Sequence, residues 1–342
     1  MKKAARYSFL TVILMVFSAL ALTGCGGEKE SPAGSGGQGG KDKAGGFPQK
    51  EITFIVPYSP GGGYDTVSRL IAPYMKKYLP NQVNVIVKNV PGGECKIGYM
   101  EMWKAKPDGY TIGIVNMPGA VTHQLLKTAE YDLNKFTWIG RITESVHVAA
   151  LSPKSKYKTL DDLKKAPEVK ASVVGLASTG GLGLVIMGKE MGFNMVPVPH
   201  NGSSEAIIAA VRGDVDITDF PYASLKQFLV DTKDLTPFVV FSNERLETLP
   251  DTPTAKEMGY PQLTKIIRAD YVVAGTPGIP DETAKILREA FAKALQDPEF
   301  QQAMKKANWE VAPATPGETA EIVKEALDGY GKYKDIVAKY NK

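Results

Sequence analysis

Three observations predict an α/β fold. From Phe47 onward, short apolar runs of strand length alternate with longer runs whose apolar residues recur at helical spacing. The first three apolar runs each end in a Pro/Gly turn: Pro57-Tyr58-Ser59-Pro60-Gly61-Gly62-Gly63, Asn89-Val90-Pro91-Gly92-Gly93 and Asn116-Met117-Pro118-Gly119. The same grammar returns in the second half, at Ala177-Ser178-Thr179-Gly180-Gly181 and at His200-Asn201-Gly202-Ser203-Ser204. Strand–turn–helix units in succession build an open α/β sheet, where ligands settle at the carboxyl ends of the strands.

The elements follow in order. Ile52, Phe54, Ile55 and Val56 make the first strand, which Pro57 closes. Beyond the turn, Val67, Leu70, Ile71, Tyr74 and Tyr78 predict an amphipathic helix through Tyr78. Its first-turn N–H groups lack intrahelical acceptors, and glycine lets a bound group approach that backbone, so the junction suits an anion. Taken alone, the stretch reads as an ordinary βα turn rather than a site; its recurrence favours a binding crevice. Residues 83–87 are expected as the second strand, before a helix carrying Ile97, Met100 and Trp103. Pro107-Asp108-Gly109 turns the chain into a third strand at 110–115. The second half is expected to hold strands at 171–176, 195–199, 213–219 (turn and strand) and 238–241. Its helices carry Leu184, Val185, Met187 and Met191, then Ile207, Ile208 and Val211. A long helix from Pro280 to about Leu295 and helices over 298–308 and 316–340 close the chain. The last has mixed charge (Glu318, Glu321, Lys324, Glu325, Asp328, Lys332), as a solvated face over a packed one would.

The amino terminus has the form of an export signal. Lys2, Lys3 and Arg6 precede an apolar run over residues 9–22, shorter than the roughly 20 residues of a membrane-spanning helix. The run ends in Leu22-Thr23-Gly24-Cys25, which resembles a bacterial lipobox, so residues 1–24 are expected to be removed and Cys25 to carry lipid. A plain secretory signal with an incidental Cys25 is the alternative. Residues 26–46 are rich in Gly and Ser and hold no large apolar side chain, so 25–46 form a lipidated cysteine and a flexible tether. Some twenty Gly-rich residues reach about 25 Å on average.

The 342 residues have a formal net charge of +4, three of which belong to Lys2, Lys3 and Arg6, leaving a body of +1. A nearly neutral body has no basic footprint for nucleic acid. With two cysteines, one of them at the processing site, there is no disulfide framework. The chain has no Gly-x-Ser-x-Gly elbow, no P-loop and no complete dinucleotide fingerprint, since Gly180-Gly181-Leu182-Gly183 lacks the third glycine at the needed offset. His123, His147 and His200 lie far apart in sequence, and no Cys/His pair has zinc spacing. No cofactor or metal is expected.

The stretch Pro57-Tyr58-Ser59-Pro60-Gly61-Gly62-Gly63-Tyr64-Asp65 with Arg69 resembles the signature PF-x-x-GG-x-x-D-x-x-x-R of tripartite tricarboxylate transporter receptors, the TctC- or Bug-type extracytoplasmic solute-binding proteins. Asn89-Val90-Pro91-Gly92-Gly93, Pro107-Asp108-Gly109-Tyr110-Thr111, Val198-Pro199-His200-Asn201-Gly202-Ser203 and Leu249-Pro250-Asp251-Thr252-Pro253-Thr254 agree with it in order. So do Glu257-Met258-Gly259-Tyr260-Pro261 and Gly275-Thr276-Pro277. The resemblance runs from Phe47 to the end. It implies a two-lobed, periplasmic-binding-protein-like fold of the type II, Venus-flytrap kind, with the ligand cleft between lobes. Lobe one would be 47–148 plus 271–342, and lobe two 149–270. It further implies capture of a small carboxylate for a two-component membrane permease, with no chemistry performed. The same scaffold with an amino acid, amide or aromatic solute is the alternative reading; an extracytoplasmic enzyme is disfavoured by the missing catalytic motifs.

By position, the resemblance implies a carboxylate cradle of backbone N–H groups and bridging water from Tyr58, Ser59, Gly61, Gly62 and Gly63, and from Pro91, Gly92, Gly93, Cys95 and Lys96. The opposing lobe would contribute Ser178, Thr179, Gly180, His200, Asn201, Gly202, Ser203 and Asp219. Asp65 reads as a ligand contact or a first-turn cap; an acid beside an anion repels it, which favours the cap. Cys95 reads as a reduced thiol, and Lys96 as a solvated lysine or a cation for a second carboxylate. The second loop departs from the family, having Gly93-Glu94-Cys95-Lys96 where members continue Ala-Gly-Gly. His200 stands where they often carry Tyr, and Leu182-Gly183-Leu184 where they carry a more polar, often His-bearing stretch. Added bulk is expected to hurt most at Gly61 or Gly62.

Overall fold

The computed structural model describes residues 46–175 and 178–340. The export signal, Cys25 and the tether as far as residue 45 lie outside the described residues. Among those described, nine strands form: β1 (Ile52–Val56), β2 (Val85–Asn89), β3 (Thr111–Met117), β4 (Thr137–Leu151), β5 (Val169–Val173), β6 (Met195–Pro199), β7 (Ile217–Pro221), β8 (Thr236–Val240) and β9 (Arg268–Gly275). They join in the order β2-β1-β3-β9-β4-β7-β5-β6, with β8 also on β4. The pairs β1–β2, β1–β3, β5–β6 and β5–β7 are parallel, whereas β9 and β4 run antiparallel to their neighbours.

The 15-residue β4 is the shared member. Its segment Thr137 to Val146 pairs with β9, and His147 to Leu151 pairs with β7 and β8. The parallel strands on either side of this pair send their carboxyl ends toward the same region. β4 is buried on both faces almost throughout, and so is β9. Neither has polar–apolar alternation, and neither is among the strands expected from the sequence.

Helices cover the sheet because each turns one apolar stripe to it. On Gly63–Tyr78, Val67, Ile71 and Met75 are fully buried, each contributing about 1.5–3 kcal/mol. Expected boundaries shift where turns intervene. The second strand starts at Val85, not 83, because a turn at Pro80–Gln82 with Asn81 and Gln82 at positive φ delays the extended run. That register sets Asn89 opposite Val56. In Lys96–Lys104 the buried face is Gly98, Tyr99 and Met102, while Ile97 is 52% exposed, contrary to expectation. The helix is turned this way by Gly98, which lies against Pro57 and the Val90 carbonyl with no room for a Cβ. The expected terminal helix is two, Pro316–Gly331 and Lys334–Tyr340, the first opened by a Thr315–Glu318 capping box. Among the described residues, no helix is long and apolar enough to cross a membrane.

Candidate functional site

The amino ends of three helices, Gly63–Tyr78, Thr179–Met191 and Ser203–Arg212, border one cavity through Gly62 and Gly63, through Ser178, Thr179 and Gly180, and through Ser203. Two of the three have glycine at the N-cap, Gly62 and Gly202, and neither end has a side-chain cap. The first helical bonds are made by Thr66 N–H to the Gly62 carbonyl and Ala206 N–H to the Gly202 carbonyl. The N–H groups before them have no intrahelical acceptor and carry the positive end of the helix dipole. The third helix is capped by Ser178, whose Oγ accepts from Gly181 N–H at 3.0 Å.

The acids of these first turns brace the loops. Asp65, in the first turn after Gly62, reaches back to accept from Gly61 N–H at 2.9 Å, and Glu205 likewise accepts from Asn201 N–H at 3.1 Å. Asp65 also takes Asn89 Nδ2 at 2.9 Å and Arg69 Nε at 3.0 Å, and Arg69 bonds Asn89 Oδ1 at 2.7 Å. Burial pushes the Asp65 carboxyl up, but hydrogen bonds from Arg69, Gly61 and Asn89 outweigh it and hold the group below the usual carboxylate range. Asp65 is therefore neither the N-cap nor part of the cavity wall; it bolts the first loop to the end of β2. The two braced loops meet: Ser59 Oγ donates to the Asn201 carbonyl at 3.1 Å, and Ser204 Oγ to the Gly61 carbonyl at 3.1 Å.

One wall of the cavity is aromatic. Tyr58, Tyr64 and Tyr271 stack with ring centroids 4.6 and 4.0 Å apart, and burial holds all three phenols well above their ordinary value. Asn116 crosses the site: its Nδ2 donates to Tyr58 Oη at 2.8 Å, and its Oδ1 accepts from Thr179 Oγ1 at 2.6 Å. His147 completes the lining, with Asp219 behind it; both are 1% exposed. The ring Nδ1 lies 3.1 Å from Asp219 Oδ1, while His147 Nε2 and Asp219 Oδ2 have no hydrogen-bond partner. Burial raises the Asp219 carboxyl, opposed by His147. The cavity encloses about 40 Å³, room for a few waters, and none of its described lining residues is Lys, Arg, Asp or Glu.

Of the expected site residues, Tyr58, Ser59, Gly62, Gly63, Ser178, Thr179, Gly180 and Ser203 line this cavity. Gly61, Asn201 and Gly202 belong to the two loops that close it. Gly92, Gly93, Cys95, His200 and Asn201 instead line a second pocket of about 280 Å³, with Tyr58 and Val174 common to both. Pro91 and Lys96 line neither, and Asp219 stands behind His147. The second loop is kept to one side by His123, whose Nε2 lies 2.9 Å from the Glu94 carbonyl. Cys95 is buried, and burial pushes its thiol up to about 12, which removes it as a nucleophile. His147 and Tyr271, on β4 and β9, were not foreseen as site residues. The one local hint is a lone imidazole in the otherwise apolar run Val146-His147-Val148-Ala149-Ala150-Leu151. Among the described residues, no group of His, Cys, Asp and Glu could hold a metal ion.

The family model of the tripartite tricarboxylate transporter family receptor matches residues 67–341. A UPF0065 protein of Agrobacterium vitis is 28% identical over 259 residues, 74% of this chain and 73% of that protein. MatC of Rhodopseudomonas palustris, solved with bound malate, superposes with a TM-score of 0.75 at 22% identity, over 85% of this chain and 100% of that one. A second R. palustris protein, Rpa4515 solved with adipate, gives 0.76 at 22% identity, over 85% and 98%. These likenesses bear out the periplasmic-binding-protein-like fold.

Proposed function

Because the chain belongs to the tripartite tricarboxylate transporter receptor family, we propose that its central cavity captures a small organic acid and hands it to a two-component membrane permease. The observation that carries this reading is the meeting of three helix amino ends, two of them glycine-capped, on a cavity with no acid in its described lining. Backbone N–H groups fixed in this way bind a carboxylate by charge-assisted hydrogen bonds without a reorganisation cost. Short dicarboxylates of malate to adipate length are the proposed class, in keeping with the ligands of the two R. palustris proteins.

In this reading, lobe one is 47–148 plus 271–342, lobe two is 149–270, and β4 and β9 cross between them. The small cavity corresponds to a closed cleft. An acid enters when the Ser59–Asn201 and Ser204–Gly61 bonds part and re-form over it. Residues 1–24 are cut away, Cys25 holds the chain to the membrane through lipid, and the tether over 25–46 lets the receptor move between solute and permease.

Thermal melting against mono-, di- and tricarboxylates, amino acids and amides tests the class. A dicarboxylate is expected to stabilise saturably, by about 2.7 kcal/mol at a hundred times its Kd. Stabilisation by neutral amides alone, with none by any acid, would refute the carboxylate assignment.

A further inference from the structure

Backbone N–H groups at helix amino ends offset the charge of a buried carboxylate only in part, and the described lining of this cavity holds no lysine or arginine. The titratable side chains facing His147 are few. Tyr58, Tyr64 and Tyr271 line the cavity with it, all kept neutral by burial. Asp219 faces it from β7. On β9, Asp270 is taken by Arg141 at 2.6 Å and Arg268 at 3.3 Å, and Tyr330 of Pro316–Gly331 lies beyond, hydrogen-bonded to the Ile266 carbonyl. Among the described residues, His147 and Asp219 are thus the pair at the cavity able to carry charge; His147 Nε2 and Asp219 Oδ2 lack partners, as do Tyr64 Oη and Tyr271 Oη in the same wall. An acid bound beside an ionised Asp219 would set two anions on either side of one imidazole. One proton on that ring removes the conflict, giving an imidazolium that donates from Nδ1 to Asp219 and from Nε2 to the ligand.

We propose that His147 is the charge-balancing, specificity-determining residue of this site: its Nε2 contacts the ligand carboxylate, and the His147–Asp219 pair takes up one proton from solvent as the acid binds. This inference rests on the carboxylate reading. It goes beyond it by assigning a partner that the loop motifs do not contain. Asp219 is a positioning residue, fixing Nδ1 so that Nε2 is left for the ligand.

Titration calorimetry on the full chain, with malate and adipate as probes, tests it in phosphate and in Tris at the same neutral pH. The binding heats are expected to differ by about the difference between the two buffers' ionisation heats, one proton being taken up, and affinity to fall by up to about tenfold per pH unit as pH rises, because binding consumes a proton. His147→Gln is expected to weaken binding about ten- to a hundredfold and to lose the buffer dependence. Asp219→Asn, which removes the second anion, is expected to bind without proton uptake. Wild-type binding with buffer-independent heat overturns the inference and leaves the carboxylate reading standing; if His147→Gln does not fold, this comparison alone decides. Failure of every carboxylate to bind overturns the carboxylate reading, and the inference with it.

Discussion

Gly180→Ala is expected to abolish ligand capture and to destabilise the fold by about 1–3 kcal/mol or more. A Cβ at this position would overlap the backbone carbonyl of Asp219, an atom that cannot turn aside. The helix Thr179–Met191 would have to retreat from β7, taking the Ser178 cap and the Thr179–Asn116 bond with it. Gly181 is held in the same way against the Gly175 carbonyl. This reorders the expectation from the sequence, which set the greatest cost at Gly61 or Gly62. At Gly62 the added carbon would meet the Ser203 hydroxyl, a group able to rotate, and Gly61 has space but a φ of +86°. Gly317→Ala serves as the control, since nothing lies within 4 Å of its Cβ position. Calorimetric melting of the two variants, with malate titration of each, reads both effects. Wild-type melting and affinity in Gly180→Ala would refute the close packing.

Arg141→Met is expected to cost about 1.5–3 kcal/mol at neutral pH, because it removes one of the two cations paired with the buried Asp270 carboxylate. Arg141 Nη1 donates to Asp270 Oδ1 at 2.6 Å and to Glu144 Oε2 at 2.8 Å, and its Nε to the Ala312 carbonyl at 2.9 Å. It therefore clamps β4, β9 and the segment before Pro316–Gly331, at the strands beside the cavity. Asp270 is 4% exposed, and burial already raises its carboxyl, opposed chiefly by Arg268 and Arg141. Without Arg141 the group titrates higher still. The penalty is thus greatest at neutral pH and shrinks on acidification, as Asp270 gains a proton in the folded state. Adding Asp270→Asn to Arg141→Met should recover part of the loss. Urea unfolding at neutral and mildly acid pH measures both; a penalty independent of pH and unrelieved by the second change would dissociate the pair.

What was legible in the sequence is what local chemistry dictates. Ile52–Val56, its glycine turn and the helix to Tyr78 follow from an apolar run, a Pro/Gly stop and a helical period. The Met195–Pro199 strand and the helix from Ser203 were readable for the same reason. β4 and β9 were not, because strands buried on both faces carry no alternation. They bring Tyr271 opposite Asn116 and Thr143, and His147 opposite Pro221, contacts spanning many tens of residues. Two side chains of the cavity wall, His147 and Tyr271, were hidden with them. The second loop's motif is present, and Gly98 and His123 hold it against a neighbouring pocket that shares Tyr58 and Val174 with the central cavity.

A crystal structure of the protein soaked with malate or adipate tests the central claim most directly. Its carboxylate oxygens are expected about 2.7–3.2 Å from backbone N–H groups at the starts of Gly63–Tyr78 and Ser203–Arg212, between the tyrosine stack and His147. An acid held instead in the pocket of Gly92, Gly93 and His200, or by surface lysines, would contradict it.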